Sequence, residues 1–237
     1  MQKSKGCEVL IFLDLETTGL EAEDKIVSIA IIVVDNGEVT SKYELVNEGK
    51  KIPPKASSIH HITNEMIYQK ALLIDTEIWK FLNDNNTPDC VVVGHNVNFD
   101  IRKLNAVGFD YKGAVIDTLR VSKHLIPECE SYGLQVLRYE LKLYKSEKIK
   151  VMAHHALGDA EVLKYLYEYL LDLSSQEEML NLSFKKVLLE KFGFGKYTGR
   201  YIEEISMCDR GYLEWMLSKM VDLDDDLRYS INYYLQG

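Results

Sequence analysis

The chain has little that would place it outside the cell or in a membrane. Its four cysteines, Cys7, Cys90, Cys129 and Cys208, show no CxxC or other metal spacing. That pattern excludes a disulfide scaffold and a zinc ribbon, and reads as reduced packing residues of a cytosolic protein. No apolar segment for secretion stands at the amino terminus, and no run is long enough to cross a membrane, so a cytoplasmic location is expected, with the nucleoid if the source is bacterial. There is no internal repeat, and residues 174–190 contain no long Gly-, Pro- or Gln-rich tether. Basic residues are in deficit, 28 against 37 acidic, for a net charge of −9. This argues against indiscriminate coating of nucleic acid. It does not argue against a nuclease, because acids gathered around metal ions are neutralised and basic groups can be local.

With 237 residues and 46% hydrophobic content, the chain can bury one substantial core plus a small appendage. Strand patterns lie near residues 8–15, 26–35 and 38–46, and Asn36-Gly37 marks a tight hairpin between the last two. Helical patterns near 63–69 and 75–85, a strand at 90–94, a helix at 98–107, a short strand at 113–117 and further helices predict an α/β layer. A boundary is expected between Leu173 and Lys185, where the long helix ends and the polar Ser-Ser-Gln-Glu-Glu stretch begins.

Four acidic residues fall in three separated blocks: Asp14 and Glu16 in FLDLETTGL, Asp100 in GHNVNFDIRKL, and Asp159 in HHALGDAEVL, with His154 five positions before the last. Strand alternation puts Asp14 and Glu16 on one face, at the carboxyl end of a strand, where open α/β sheets place their sites. Asp100 lies in the first turn of a helix that follows the strand at 90–94. Asp159 lies near the start of a helix whose apolar stripe is Leu157, Ala160, Leu163, Leu166, Tyr167 and Leu170. Each feature alone has a local explanation, since first-turn acids complement the helix dipole and strand ends tolerate solvated carboxylates. Together they do not, because four carboxylates in one cleft raise each other's pKa unless cations neutralise them. Oxygen-only ligands suit Mg²⁺ or Mn²⁺, and two such ions about 3.5–4 Å apart can clamp an in-line phosphodiester displacement. A histidine can take the proton from the attacking water near neutral pH.

The three blocks resemble the motifs of the DnaQ-like, DEDDh-type 3′–5′ exonucleases, over roughly residues 8–172. The sister DEDDy group has tyrosine four positions before the final Asp, where this chain has His155; His154 matches the DEDDh histidine. The resemblance implies a ribonuclease H-like mixed sheet flanked by helices, with Asp14, Glu16, Asp100, His154 and Asp159 catalytic. It implies two ions held by Asp14, Glu16, Asp100 and Asp159, with Asp14 bridging them and His154 as general base. By position in the matching motifs, Thr17, Thr18, Gly19, Leu20, His61, Asn96 and Phe99 are candidates to contact substrate, with Leu20 stacking an end base. The tail from Phe192 onward resembles the small carboxy-terminal module of the exodeoxyribonuclease X group within this family. The expected division is therefore an exonuclease domain over 1–174 and that module over 185–237.

Read without the family, the tail interleaves Lys185, Lys186, Lys191, Lys196 and Arg200 with Phe184, Phe192, Phe194, Tyr197 and Tyr201, a mixture suited to phosphates and stacked bases. About half of these residues are expected to form a small helical and aromatic core. Asp222, Asp224, Asp225 and Asp226 read as an acidic helix start. A second basic cluster, Arg138, Lys142, Lys145, Lys148 and Lys150, is a candidate guide for the strand. The expected partner is DNA with a 3′ end, single-stranded or duplex, in repair or end processing. Alternatives are a proofreading subunit held by a polymerase, an exonuclease of RNA or short oligonucleotides, and a binding-only module.

Overall fold

The computed structural model describes residues 9–129, 131–147 and 151–236; Cys7, Lys148 and Lys150, named above, and residue 8, where the first strand pattern begins, lie outside the described residues. The chain divides into two compact units, one ending at Ser183 and the other beginning at Phe184.

The first unit is built on a mixed five-stranded sheet of order β3-β2-β1-β4-β5. β1 (Val9–Thr17), β2 (Ile26–Asp35) and β3 (Glu38–Leu45) pair antiparallel, while β4 (Cys90–Gly94) and β5 (Ala114–Asp117) add in parallel beside β1. Asn36 and Gly37 take φ of 50° and 82°, the double left-handed turn that the right-handed twist of a hairpin favours. The sheet is covered on both faces. Ile11, Leu13 and Leu15 of β1 join Ile29 and Ile31 in one core cluster, and Phe12 joins Ala30, Ile32 and Val93 in the other.

The helices are α1 (Pro54–His60), α2 (Asn64–Ile67), α3 (Glu77–Asp84), α4 (Asn98–Asn105), α5 (Thr118–Leu125), α6 (Leu134–Glu140), α7 (Ala156–Leu173) and α8 (Gln176–Leu182). α1 has no counterpart in the sequence reading, because Pro53-Pro54 looks like a loop; Pro54 instead occupies the first helical turn, where its missing N–H costs nothing. The polar stretch after Leu173 opens α8: the Ser175 side chain accepts a hydrogen bond from the Glu178 N–H at 3.2 Å, and Met179 and Leu182 are buried in the same core as α7. α7 lies over the Phe12 face of the sheet, with Tyr167 edge-on to Phe12 at 5.3 Å between ring centroids.

The second unit packs α9 (Ile202–Cys208), α10 (Arg210–Lys219) and α11 (Asp225–Gln236) around Phe192, Ile202, Leu213, Met216 and Ile231. Asp224 caps α11 by accepting from the N–H groups of Asp226 and Leu227, each at 3.0 Å. Asp226 turns inward to accept from the Val187 N–H. Cys90 and Cys129 are buried as expected for packing thiols, whereas Cys208 is exposed at the end of α9. Among the described residues no helix is long and apolar enough to cross a membrane.

Candidate active site

The period of two along β1 positions the first two acids. Phe12, Asp14 and Glu16 share a face; Phe12 is buried beneath the middle of α7, and the next positions along the strand meet the first turn of that helix, which carries Asp159. Asp14, Glu16 and Asp159 each offer an oxygen, and these atoms lie within 4.8 Å of one another. Asp100, buried in the first turn of α4, stands outside that triplet, but its charge acts on Asp14.

The turn before α7 is shaped by close backbone approach. A Cβ on Gly158 would lie 2.2 Å from the Met152 carbonyl oxygen, so only glycine lets this segment fold against the helix start. His154 takes φ of 57° there, and its backbone N–H donates to Asp159 Oδ2 at 3.1 Å. Its side chain is exposed beside the acids, whereas His155 stacks on the Tyr43 ring at 4.5 Å. Asp159 Oδ1 accepts from Gln135 Nε2 at 2.5 Å, so both oxygens of that carboxylate are oriented.

The electrostatics are those of an uncompensated acidic cluster. Burial, reinforced by the charges of Asp100, Asp159 and Glu16, holds the Asp14 carboxyl well above its ordinary pKa. Burial and the Asp159 charge push Glu16 up to about 7. Asp100 is raised by burial, with Asp117 and Glu16 adding to it. Asp159 is raised by burial too, opposed by the Gln135 hydrogen bond and by the charges of His154 and Arg138. An all-oxygen donor set whose members resist ionisation in one another's company fits a hard divalent cation.

Asp14, Asp159 and His154 open into a cleft of about 260 Å³ lined also by His95 and by Gly133, Leu134, Gln135 and Val136 at the start of α6. The sequence reading had no part for these residues in the site. The His95 ring sits between the Thr118 hydroxyl at 3.0 Å and the Tyr132 carbonyl at 2.7 Å, and burial lowers its pKa to about 4, so it is neutral near pH 7. Arg138, read above as part of a strand-guiding cluster, is instead buried and forked onto Glu147, with Nε–Oε1 at 2.6 Å and Nη2–Oε2 at 2.7 Å. Its other donors reach Gln135 Oε1 and the Val151 carbonyl. One guanidinium thus ties the Gln135 contact on Asp159 to the segment leading to His154. Glu147→Gln is expected to cost about 3–5 kcal/mol, because it leaves Arg138 buried without its carboxylate. Urea unfolding of the variant against wild type measures this.

The substrate candidates scatter more widely. Thr17 and Thr18 are buried, and their hydroxyls bind the Gly19 carbonyl and Asp24 Oδ1. Asp24 also accepts from the Glu21 N–H and Lys50, which lower its pKa to about 2, and Lys103 of α4 holds the carbonyls of Glu21 and Asp24. The loop after β1 is therefore fixed, with Leu20 standing 82% exposed at its tip. His61 is exposed at the left-handed C-cap of α1, and its neighbour His60 is the buried one, with the Thr17 backbone beside its ring. Asn96 is exposed with φ of 63°, and Phe99 is half-buried under the Lys103 ammonium.

Comparison with known proteins agrees with this geometry. Residues 11–167 match the RNase_T family model, described as exonuclease. Over 238 residues the chain is 28% identical to exodeoxyribonuclease 10 of Escherichia coli strain K12, covering 97% of this chain and 100% of that protein. It is 32% identical over 206 residues to the PolC-type DNA polymerase III of Latilactobacillus sakei subsp. sakei strain 23K, covering 83% of this chain but 13% of that one. The solved structure of exonuclease X in complex with 5′ overhanging duplex DNA superposes with a TM-score of 0.60 at 27% identity, covering 73% of this chain and 99% of that chain.

Proposed function

The chain belongs to the RNase_T exonuclease family and is a phosphodiester hydrolase; on that basis we propose that it removes nucleotides stepwise from DNA 3′ ends, releasing nucleoside 5′-monophosphates. The observation that carries the reading is the meeting of Asp14, Glu16 and Asp159 within 4.8 Å, two of which, Asp14 and Asp159, line a cleft together with His154. Exodeoxyribonuclease 10 is similar over its whole length, and exonuclease X was solved with duplex DNA, which supports DNA as the substrate class. A role in repair or end processing in the cytoplasm fits this reading.

Asp14, Glu16, Asp100 and Asp159 would hold Mg²⁺ or Mn²⁺, two ions in all. When bound, such ions acidify a water and offset charge on the phosphoryl oxygens. Gln135 and the His154 N–H hold Asp159 in one orientation, so its carboxylate pays little entropy to engage. The His154 ring, carried on a fixed left-handed backbone, accepts the proton of the attacking water. The braced loop from Thr17 to Leu20 receives the terminal nucleotide, with exposed Leu20 against its base. His154→Ala should therefore lower turnover about 10²–10⁴-fold while leaving the Mn²⁺-induced rise in melting temperature intact. Loss of that rise would move His154 from proton transfer to metal binding.

The test of the whole reading is degradation of 5′-labelled DNA and RNA, with free or blocked 3′ ends, in Mg²⁺ or Mn²⁺. Laddering from free DNA 3′ ends supports it. Internal cuts or indifference to the block refute the polarity, and preference for RNA refutes the substrate.

A further inference from the structure

The second unit carries a row of aromatic rings at the edge of its core, where Tyr197 and Tyr212 rest half-buried on Phe192 and the row runs outward to Trp215. Tyr197 and Tyr212 meet edge to face at 5.1 Å, and Tyr212 stacks on Trp215 at 5.8 Å with 27° between planes. Trp215 and Tyr201 are each 50% exposed. The cations of the same segment lie over these rings: Lys191 is 4.7 Å from the Tyr201 centroid, Lys196 4.6 Å from Tyr197 and 5.6 Å from Tyr212, and Arg200 5.5 Å from Tyr197. Isolated bridges between Lys191 and Tyr201 and between Phe192 and Thr198 hold the two arms of the segment side by side. Added Cβ atoms on Gly193 and Gly199 would meet nothing within 4 Å, so the turn joining the arms is open to an approaching chain.

We propose that this face binds single-stranded nucleic acid, with bases stacked on Tyr201 and Trp215 and phosphates on Lys191, Lys196 and Arg200. Exposed π-faces alternating with cations are the arrangement by which single strands are held without sequence preference. Two of the cations already have acidic neighbours, Lys196 with Asp209 at 3.0 Å and Arg200 with Glu204. Arg200 and Glu204 are both exposed, and such a pair contributes only about 0–1 kcal/mol, so a phosphate can replace that carboxylate; Asp209 is half-buried and also accepts from the Tyr197 hydroxyl, so a phosphate on the exposed Lys196 adds to that pair. A protein partner fits less well, because the centres of protein interfaces are depleted in lysine and this face is studded with it. The face adds a strand-holding site that the hydrolytic chemistry of the first unit does not require.

The experiment uses the full chain in chelator, where hydrolysis does not intervene, titrated with fluorescently labelled oligothymidylate or oligouridylate and followed by anisotropy. Trp215→Ala and Tyr201→Ala should each weaken binding about 5- to 100-fold. Lys191→Gln and Lys196→Gln should each reduce the slope of log K against log salt by about 0.7. Thermal unfolding checks the ring variants, and the lysine variants, at exposed positions, decide the matter if a ring variant fails to fold. Hydrolysis of a dinucleotide, too short to leave the catalytic cleft, should be unchanged in all four. Weakening with both oligonucleotides, or with one alone, supports the site and ranks DNA against RNA. Wild-type affinity and salt slope in the variants overturn it, and would return the face to a protein partner. Failure of the proposed hydrolysis would appear separately, as unchanged dinucleotide turnover in Asp14→Asn.

Discussion

Asp14→Asn is expected to lower turnover by on the order of 10⁴-fold or more while making the metal-free protein more stable at neutral pH. The two effects have one cause. Asp14 lies among Glu16, Asp100 and Asp159, and both burial and the charges of all three oppose its ionisation. In the absence of a cation an ionised carboxylate there is a liability, so its neutral isostere relieves repulsion and raises the melting temperature. A carboxylate kept for structure behaves in the opposite way. Asp117, for example, caps α5 by accepting from the Leu119 N–H and also binds the Asn96 N–H, so its loss costs stability. The readouts are initial rates on a 3′-hydroxyl DNA end and melting temperature in chelator at pH 7.5. Lost activity with lower stability would mark Asp14 as structural.

Without metal, the protein should lose stability as pH rises from about 5 to about 8, and Mg²⁺ or Mn²⁺ should reverse that loss. Glu16 illustrates the sign. Its carboxyl titrates at about 4.5 when unfolded and about 7 when folded, so the folded state favours the protonated form. That contribution is fully present below the unfolded value and disappears as pH passes through the folded one. Glu16 alone accounts for about 2–3 kcal/mol, and Asp14, Asp100 and Asp159 shift in the same direction. Asp24 has the opposite sign: with its carboxyl held near 2, its contribution is present above the ordinary carboxylate range and is lost only as pH falls towards 2. It is constant from 5 to 8, but His95 and His60, whose pKa values burial lowers, gain stability as pH rises to about 6.5 and offset part of the carboxylate effect below that point. The net fall in melting temperature should therefore be steepest above about pH 6.5, where the histidines no longer offset the carboxylates. Metal at a hundredfold excess over its dissociation constant should restore about 2.7 kcal/mol at pH 8. A metal-free melting temperature that rises with pH through this window would contradict the electrostatic description of the cleft.

The contrast between what was and was not legible follows from the range of each interaction. β1, the Asn36-Gly37 turn, β4 and α7 were visible because alternation, turn chemistry and helical spacing are encoded within a few residues. The acids were visible because their chemistry makes sense only when they are gathered. Arg138 reads as part of a basic cluster in sequence because its partner Glu147 lies across a turn that brings the two together in the interior. Lys186 and Lys196 likewise pair with Asp225 and Asp209, partners too far away in sequence for the local pattern to show. His95 and Gln135 are not legible as cleft residues because their places are set by tertiary contacts, His95 to Thr118 and the Tyr132 carbonyl, Gln135 to Asp159 and Arg138. His61, the candidate from the family motif, is exposed at the left-handed end of α1 while His60 beside it is buried, and no periodicity announces which of the two turns inward.

The measurement that bears most directly on the central claim is anomalous diffraction from crystals of the full chain grown with Mn²⁺ and a nucleoside 5′-monophosphate. The account predicts two manganese peaks in the first unit, one among Asp14, Glu16 and Asp159 and a second shared by Asp14 on the side of Asp100, and none with Asp14→Asn. Manganese bound elsewhere, or a cleft that stays free of it at saturating concentration, would contradict the account.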